Sequence, residues 1–172
     1  KYSYKGATPL TDALLGIRYI ISNEEMWASN LSLCEQTMNK YVYENQQNLA
    51  LGYMVNPTLE QWKIVEGDPF VTQNDFVRLA TDTQEALFTP MTVSEPEVTG
   101  GMLTSTGEDK YFYERTADNG TLTWQLTFTE QQDVYIYFEA SHCEKLKVTI
   151  DGETETYSDK RGHIVHLGQC DA

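Results

Sequence analysis

Four tyrosines in the second half of the chain are the strongest candidates for binding chemistry. Tyr135 and Tyr137 alternate with apolar residues, and Tyr111 and Tyr113 flank Phe112 in the same way. Because alternate side chains of a strand point to opposite faces, the pattern predicts these tyrosines on an outer sheet face. Aromatic rings stack on sugar rings, and their hydroxyls bond sugar oxygens, so the hypothesis is a glycan-binding surface. The alternative is that the first half of the chain covers this face and makes the tyrosines a second core.

A zinc site can be drawn near the C-terminus, but the spacing does not favour it. The residues with suitable ligand atoms are His142, Cys143, His163, His166 and Cys170. Structural zinc sites usually show tight paired spacings such as Cys-x2-Cys, and only His163 and His166 come near one. We therefore expect neither a metal nor another cofactor.

Recognisable catalytic motifs are missing from the sequence. Glu95 and Glu97 are close in sequence, but glycoside hydrolysis needs two carboxyls held at a fixed separation across the bond, and nothing here fixes one. Gly100-Gly101 lacks the lysine and the helix of a phosphate-binding loop. We assign no catalytic residue.

Cysteine usage leaves the redox state open. The chain has three cysteines, so at least one is unpaired within a monomer. Cys143 and Cys170 flank the last β-rich region and form the candidate disulfide, which an exported location would permit. Three reduced, buried thiols are the alternative.

Charge narrows the range of partners. The 172 residues carry a net charge of −14, which argues against nucleic acid and against docking on anionic lipid through a basic patch. An anionic polymer would need a local basic patch, and the best candidates are Lys145, Lys147, Lys160 and Arg161. An ordinary solvated strand edge is the simpler explanation of these four residues.

Local signals in the first half predict a mixture of helices and strands. Thr8 and Pro9 begin a short helix that Gly16 ends, and Asp68 caps a helix that has Pro69 at its first position and runs to about Ala80. A second short helix is predicted over 58–65, and strands are predicted over 17–21, 40–44 and 49–55.

The second half predicts antiparallel β-structure. Apolar and polar residues alternate over 121–128, 134–138 and 146–150, and a last strand covers 162–167. Asn119-Gly120 and Asp151-Gly152 predict hairpin turns. The fold class is therefore α+β, with a mixed N-terminal half, 1–94, packed on a β-sandwich or jelly-roll-like half, 95–172, as one compact unit.

Three sequence blocks carry a family resemblance. They are ATPLTDALLGIRYII at 7–21, YVYEN at 41–45 followed by LALGYMV at 49–55, and DPFVTQNDF at 68–76. In this order they resemble the extracytoplasmic domain of YfhO-type bacterial integral membrane proteins, which are of the membrane glycosyltransferase class. Gln46 and Ala50 depart from the family pattern, which tends to have proline there.

This resemblance implies a parent protein that transfers sugars from a lipid-linked donor to a cell-envelope polymer of the teichoic-acid type in a Gram-positive bacterium. Its catalytic residues would lie in or next to the membrane part. We therefore expect a non-catalytic domain on the extracytoplasmic face of the cell membrane. Its partners would be the membrane-embedded remainder of the chain and an envelope glycan. A free-standing carbohydrate-binding or adhesin-like β-sandwich module is the alternative.

The apolar run from Ala13 to Ile21 contains Arg18 and is too short to span a bilayer. The chain opens at Lys1 without a signal-peptide pattern. We expect the membrane segments to flank this sequence.

Overall fold

The structure, a computed structural model, describes residues 6–107, 110–140, 142, 144–150 and 152–170. Two α-helices and eleven strands lie in these ranges, and every pairing between strands is antiparallel. The helices are α1 (Pro9–Leu14) and α2 (Pro69–Thr81), with a 3₁₀ turn at Pro57–Gln61. The predicted α+β class is confirmed.

The strands form one three-stranded sheet and four two-stranded sheets within the described residues. The first sheet has the order β1-β3-β2, and the pairs are β4 with β7, β5 with β6, β8 with β11, and β9 with β10. In chain order the strands are β1 (Tyr19–Ser22), β2 (Leu31–Thr37), β3 (Lys40–Asn45), β4 (Glu97–Thr99), β5 (Gly101–Gly107), β6 (Lys110–Arg115), β7 (Thr121–Thr123), β8 (Gln132–Glu139), β9 (Leu146–Ile150), β10 (Glu153–Tyr157) and β11 (Gly162–Cys170).

Both helices begin where their capping residues predict. The Thr8 hydroxyl accepts a hydrogen bond from the Thr11 amide, and Asp68 does the same for Val71 at 3.0 Å. These side chains satisfy amides that the first helical turn leaves without a partner. The cap residue Asp82, with φ of 60°, ends α2 in the left-handed region. The helices predicted over 9–15 and 68–80 are therefore confirmed to within a residue or two. The short helix predicted over 58–65 is replaced by the 3₁₀ turn at Pro57–Gln61.

The end of β3 is fixed by a buried polar side chain. Asn45 is fully buried, and its amide group donates to the Ile17 carbonyl at 3.0 Å. Its side-chain oxygen accepts from the Asn30 amide group at 3.1 Å and from the Gln47 backbone at 3.0 Å. A buried polar group is tolerated only when it is hydrogen-bonded, so Asn45 locks the chain as it leaves the sheet.

The strand predicted over 49–55 is wrong. This segment is irregular, and backbone bonds at its start and just after its end go to helix residues. The Leu49 amide donates to the Ala13 carbonyl at 3.3 Å, and the Asn56 amide donates to the Ala80 carbonyl at 2.8 Å. β2 takes the place beside β3, although most of its residues are exposed and no prediction covered it.

Two predictions about the second half are also corrected. Only Thr121–Thr123 of the segment 121–128 is a strand, although Leu122, Trp124, Leu126 and Phe128 remain half-buried between exposed residues. Asn119-Gly120 does not join a hairpin, because β6 pairs with β5 while β7 pairs with β4. The β9–β10 pairing agrees with the other predicted hairpin, of which Asp151 lies outside the described residues.

Phe88 connects the two halves of the chain. Its ring lies 4.9 Å from that of Phe70 on α2 and 5.4 Å from that of Tyr135 on β8. Its backbone is held by Asn74, whose side chain bonds the Phe88 amide at 2.8 Å and the Phe88 carbonyl at 2.7 Å. The first half therefore packs on the side of β8 that carries Tyr135. The division at residue 95 stays a prediction.

Candidate functional site

An apolar groove of about 500 Å³ lies between α1, the start of α2 and β8. We call it the Trp62 groove. Apolar and aromatic side chains from these three elements and from the segment before α2 line it, with acidic and amide groups beside them. The principal residues are Leu10, Leu14, Trp62, Ile64, Val65, Glu66, Asp68, Gln73, Phe76 and Tyr137.

Trp62 has a fixed orientation in this groove. Its indole Nε1 donates to the Thr72 carbonyl at 2.9 Å, and its ring meets Phe76 edge to face, with centroids 5.4 Å apart. Edge-to-face packing is the arrangement that the ring quadrupoles favour. Both contacts are with α2, so the helix determines where the indole presents its surface.

A buried hydrogen bond joins the two helices beside the groove. The Thr8 hydroxyl, before α1, donates to the Gln73 side-chain oxygen at 2.6 Å, and both residues are buried. The Gln73 amide group in turn donates to the Pro69 carbonyl at 3.2 Å. Removing one partner would leave the other buried and unsatisfied, so this bond holds α1 against α2.

Asp68 is an ionised carboxylate at the groove. Burial raises the pKa of Asp68. Lys110, whose amino group lies 2.6 Å from the carboxylate, and the amides of the α2 N-terminus lower the pKa by more than burial raises it. The net result is a pKa below the usual value for Asp. Asp68 is therefore ionised at neutral pH and can accept hydrogen bonds. It is unsuited to act as a general acid, because that role needs a raised pKa.

Tyr137 is the one of the four predicted tyrosines that lines the Trp62 groove. Burial and its hydrogen bond to Glu139, at 2.6 Å, raise the pKa of its hydroxyl to about 12. The ring lies over Gly162, where any Cβ would collide with it. The Tyr137 hydroxyl therefore stays protonated and in place.

The other three tyrosines are distributed elsewhere. Tyr135 stacks on His166 with ring centroids 4.6 Å apart, and burial raises its pKa above the ordinary tyrosine value. Tyr111 contacts Trp124 and lines a second groove, of about 490 Å³, beside β5. The Tyr113 hydroxyl donates to the Thr99 carbonyl at 3.1 Å.

The faces of β6 are the reverse of the predicted ones. Phe112 is 53% exposed, whereas Tyr111 and Tyr113 are half-buried. Tyr113 lies against Gly101 and Gly120, where a Cβ would collide with its ring or hydroxyl. Since Tyr111 and Tyr113 belong to a different sheet from Tyr135 and Tyr137, the four do not form one face. A glycan-binding role for each stays a prediction.

Two of the three histidines of the zinc hypothesis are paired with separate carboxylates. His163 Nε2 lies 3.1 Å from Asp159, and His166 Nε2 lies 3.0 Å from Asp133. Burial lowers the pKa of His166, although Asp133 opposes this. No group of three metal-ligating side chains stands together in the part of the chain that the structure describes.

The remaining candidates show no assembled site. The predicted disulfide cannot be placed, because Cys143 and the side chain of Cys170 lie outside the described residues; Cys34 is free and exposed. The basic candidates Lys145, Lys147, Lys160 and Arg161 are all exposed.

The sequence reasoning did not place Trp62, Asp68 and Gln73 at a site. From the sequence, Asp68 is identified only as a helix cap. The available signal was their spacing: an aromatic residue lies just before a capped, apolar helix, which brings the indole against the first turns of that helix.

Comparison with known protein families shows to which class of protein the chain belongs. Residues 1–171 match the model of a family of bacterial membrane proteins. The family is described as bacterial membrane protein YfhO, and the chain belongs to it. No curated protein and no solved structure matches the chain. Across the described ranges, no helix has the length and apolar character that crossing a bilayer requires.

Proposed function

We propose that this chain is the extracytoplasmic, non-catalytic domain of a polytopic membrane glycosyltransferase, and that it positions the acceptor polymer. The main support for this proposal is the match of residues 1–171 to a family of bacterial membrane proteins. The proposed acceptor is a cell-envelope polymer of the lipoteichoic-acid type, and the proposed partner is the membrane-embedded remainder of the protein.

The chemistry of the Trp62 groove supports binding over hydrolysis. A glycosidase needs one carboxyl that stays protonated to donate to the leaving group. The pKa of Asp68 is lowered, and its oxygens already accept from Lys110 and Val71. Asp68 is suited to receive a hydroxyl hydrogen bond and unsuited to protonate a glycosidic oxygen.

The same groove matches a neutral sugar. Aromatic rings stack on the apolar face of a sugar ring, and Trp62, Phe76 and Tyr137 are present together with the acceptor oxygens of Asp68 and Glu66. A net charge of −14 repels a polyphosphate backbone. The proposed contact is therefore with the sugar substituents of the polymer instead of its phosphates.

The test is a titration of the ¹⁵N-labelled chain with neutral gluco- and galacto-oligosaccharides, followed through the tryptophan indole resonances. We expect a saturable shift of the Trp62 indole. Trp27 is the internal control, because it is 62% exposed and does not line the groove. Equal shifts of Trp62 and Trp27, or no shift at tens of millimolar sugar, would refute the acceptor role.

Two matched variants sharpen the result. Ile64→Asn places an amide in the groove at an exposed apolar position, and Val71→Asn makes the same kind of change on the exposed surface of α2, outside the groove lining. We expect only Ile64→Asn to weaken sugar binding, by about tenfold, which corresponds to the loss of about 1.4 kcal/mol.

A further inference from the structure

The segment from Leu49 to Val55 is an apolar protrusion that the groove does not use. Its sequence is LALGYMV, and no residue from Asn45 to Leu59 is charged. Leu51 is 105% exposed and Met54 is 98% exposed, so their side chains have no protein neighbour to shield them from water. Single exposed apolar residues are ordinary, but an uninterrupted exposed apolar segment marks an interaction surface.

Both ends of this protrusion are fixed. The Leu49 amide bonds the Ala13 carbonyl in α1, and the Asn56 amide bonds the Ala80 carbonyl in α2. Asn48 also donates from its side chain to the Asn45 carbonyl at 2.8 Å. The exposed tip is therefore held out between two anchored ends, which reduces the ordering cost of binding.

We infer that the tip of 49–55 inserts its side chains into the interfacial layer of a lipid bilayer. The chain belongs to a membrane-protein family, so a bilayer is adjacent to the protein. The tip has no charge that would have to be desolvated, and Tyr53, with an apolar ring and a polar hydroxyl, is a residue type enriched at membrane interfaces. This inference is independent of the groove and of the acceptor.

The depth of insertion is limited by the backbone. Irregular backbone cannot enter the hydrocarbon core, because its amides and carbonyls would have no partners there. Only the side chains of Leu51, Tyr53 and Met54 reach below the headgroups. The net charge of −14 repels anionic headgroups, so zwitterionic lipid is the better partner.

The experiment uses small phosphatidylcholine bicelles that carry a nitroxide on the acyl chain. Paramagnetic broadening of the amide resonances of the ¹⁵N-labelled chain is measured against unlabelled bicelles. We expect the amides of Leu51 to Met54 to broaden at least about twice as strongly as that of Met38. Met38 is the matched control, since it is 101% exposed in the turn between β2 and β3.

Variants separate insertion from general adhesion. Leu51→Glu combined with Met54→Glu is expected to abolish the selective broadening, and Met38→Glu is expected to leave it unchanged. Replacing part of the lipid with phosphatidylglycerol is expected to reduce it. Uniform broadening, broadening centred elsewhere, or no broadening at the highest lipid concentration would overturn the inference. The absence of broadening would favour a protein partner for this segment. Sugar binding at the Trp62 groove is unaffected by any of these outcomes.

Discussion

At the residue scale, His166 shows how burial and a carboxylate compete over one proton. Its ring is stacked on Tyr135, and its Nε2 lies 3.0 Å from Asp133. Asp133 also accepts from the Ser29 amide at 3.0 Å, so the carboxylate is shared between the histidine and a loop of the first half. Desolvation disfavours the charged imidazolium, and its effect exceeds that of Asp133, since the pKa of His166 is lowered.

Asp133→Asn is expected to lower the pKa of His166 further. The substitution removes the negative charge that favours the imidazolium, whereas the burial that opposes it remains. The titration of the imidazole carbon-bound proton of His166 by NMR measures the midpoint, which should lie below 6.5 in the unmodified chain and lower still in the variant. A midpoint that rises or stays constant would contradict the assignment of Asp133 as the opposing charge.

At the element scale, α2 is the structural centre of the candidate site. It fixes the indole of Trp62 through Thr72, bonds Thr8 through Gln73, and holds Phe88 through Asn74. Its start depends on Asp68, which caps the helix and pairs with Lys110 on β6. A loosened first turn would therefore be transmitted to the groove.

Asp68→Ala is expected to lower the free energy of unfolding by about 1–2 kcal/mol, because the helix loses its N-cap. Asp75→Ala is the control: it removes an exposed ion pair with Arg78, and such pairs contribute about 0–1 kcal/mol. Chemical denaturation at pH 7 measures both.

The difference between the unmodified chain and Asp68→Ala is also expected to depend on pH. The folded pKa of Asp68 lies below 3.8, the ordinary value for an aspartate. A depressed carboxyl pKa stabilises the fold above the unfolded value, and this stabilisation is lost as the pH falls through the folded pKa. The difference should therefore shrink in acid, and a constant difference down to about pH 2 would contradict the assignment.

Capping signals were enough to predict these helices from the sequence, because a cap is a local interaction between residues three positions apart. Alternation of apolar and polar residues predicted β8 and β9, and strand-favouring residue types predicted β3. The strand prediction failed for 49–55. An apolar run predicts a buried strand, but the sequence does not show whether other elements are present to cover it. The face prediction failed for β6 because the choice between the two faces depends on what packs there, and Gly101 and Gly120 make room for Tyr113.

The candidate site was harder to predict than the elements. Of its residues, only Tyr137 was proposed from alternation. The groove arises where α1, the segment before α2 and β8 meet, and such distant contacts leave no periodic signal in the sequence. Family resemblance supplied the class of the protein, and the three blocks that carried it now appear as the capped α1, the end of β3 with Asn45, and the start of α2.

At the scale of the whole molecule, the dominant feature is the net charge of −14. Like charges on one compact chain repel one another and destabilise the folded state, and salt screens this repulsion. Arg18 pairs with Glu44 at 3.2 Å, but the Arg18 side chain is mostly exposed, so this ion pair contributes little.

Raising sodium chloride from about 10 mM to about 500 mM is therefore expected to increase the melting temperature by a few degrees, since the Debye length falls from about 30 Å towards 3 Å. Circular dichroism during heating measures the change. A melting temperature that decreases would show that the exposed ion pairs outweigh the repulsion.

The division into small sheets has a consequence for how copies of this chain meet. Among the described strands, only β3 has a hydrogen-bonded neighbour on both sides. Each of the other described strands pairs with a strand on one side only, and such an edge can recruit a strand from another copy. The repulsion between like charges destabilises one folded chain and also keeps copies apart. Acidification protonates the carboxylates, so it weakens the repulsion within a chain and the barrier to self-association together.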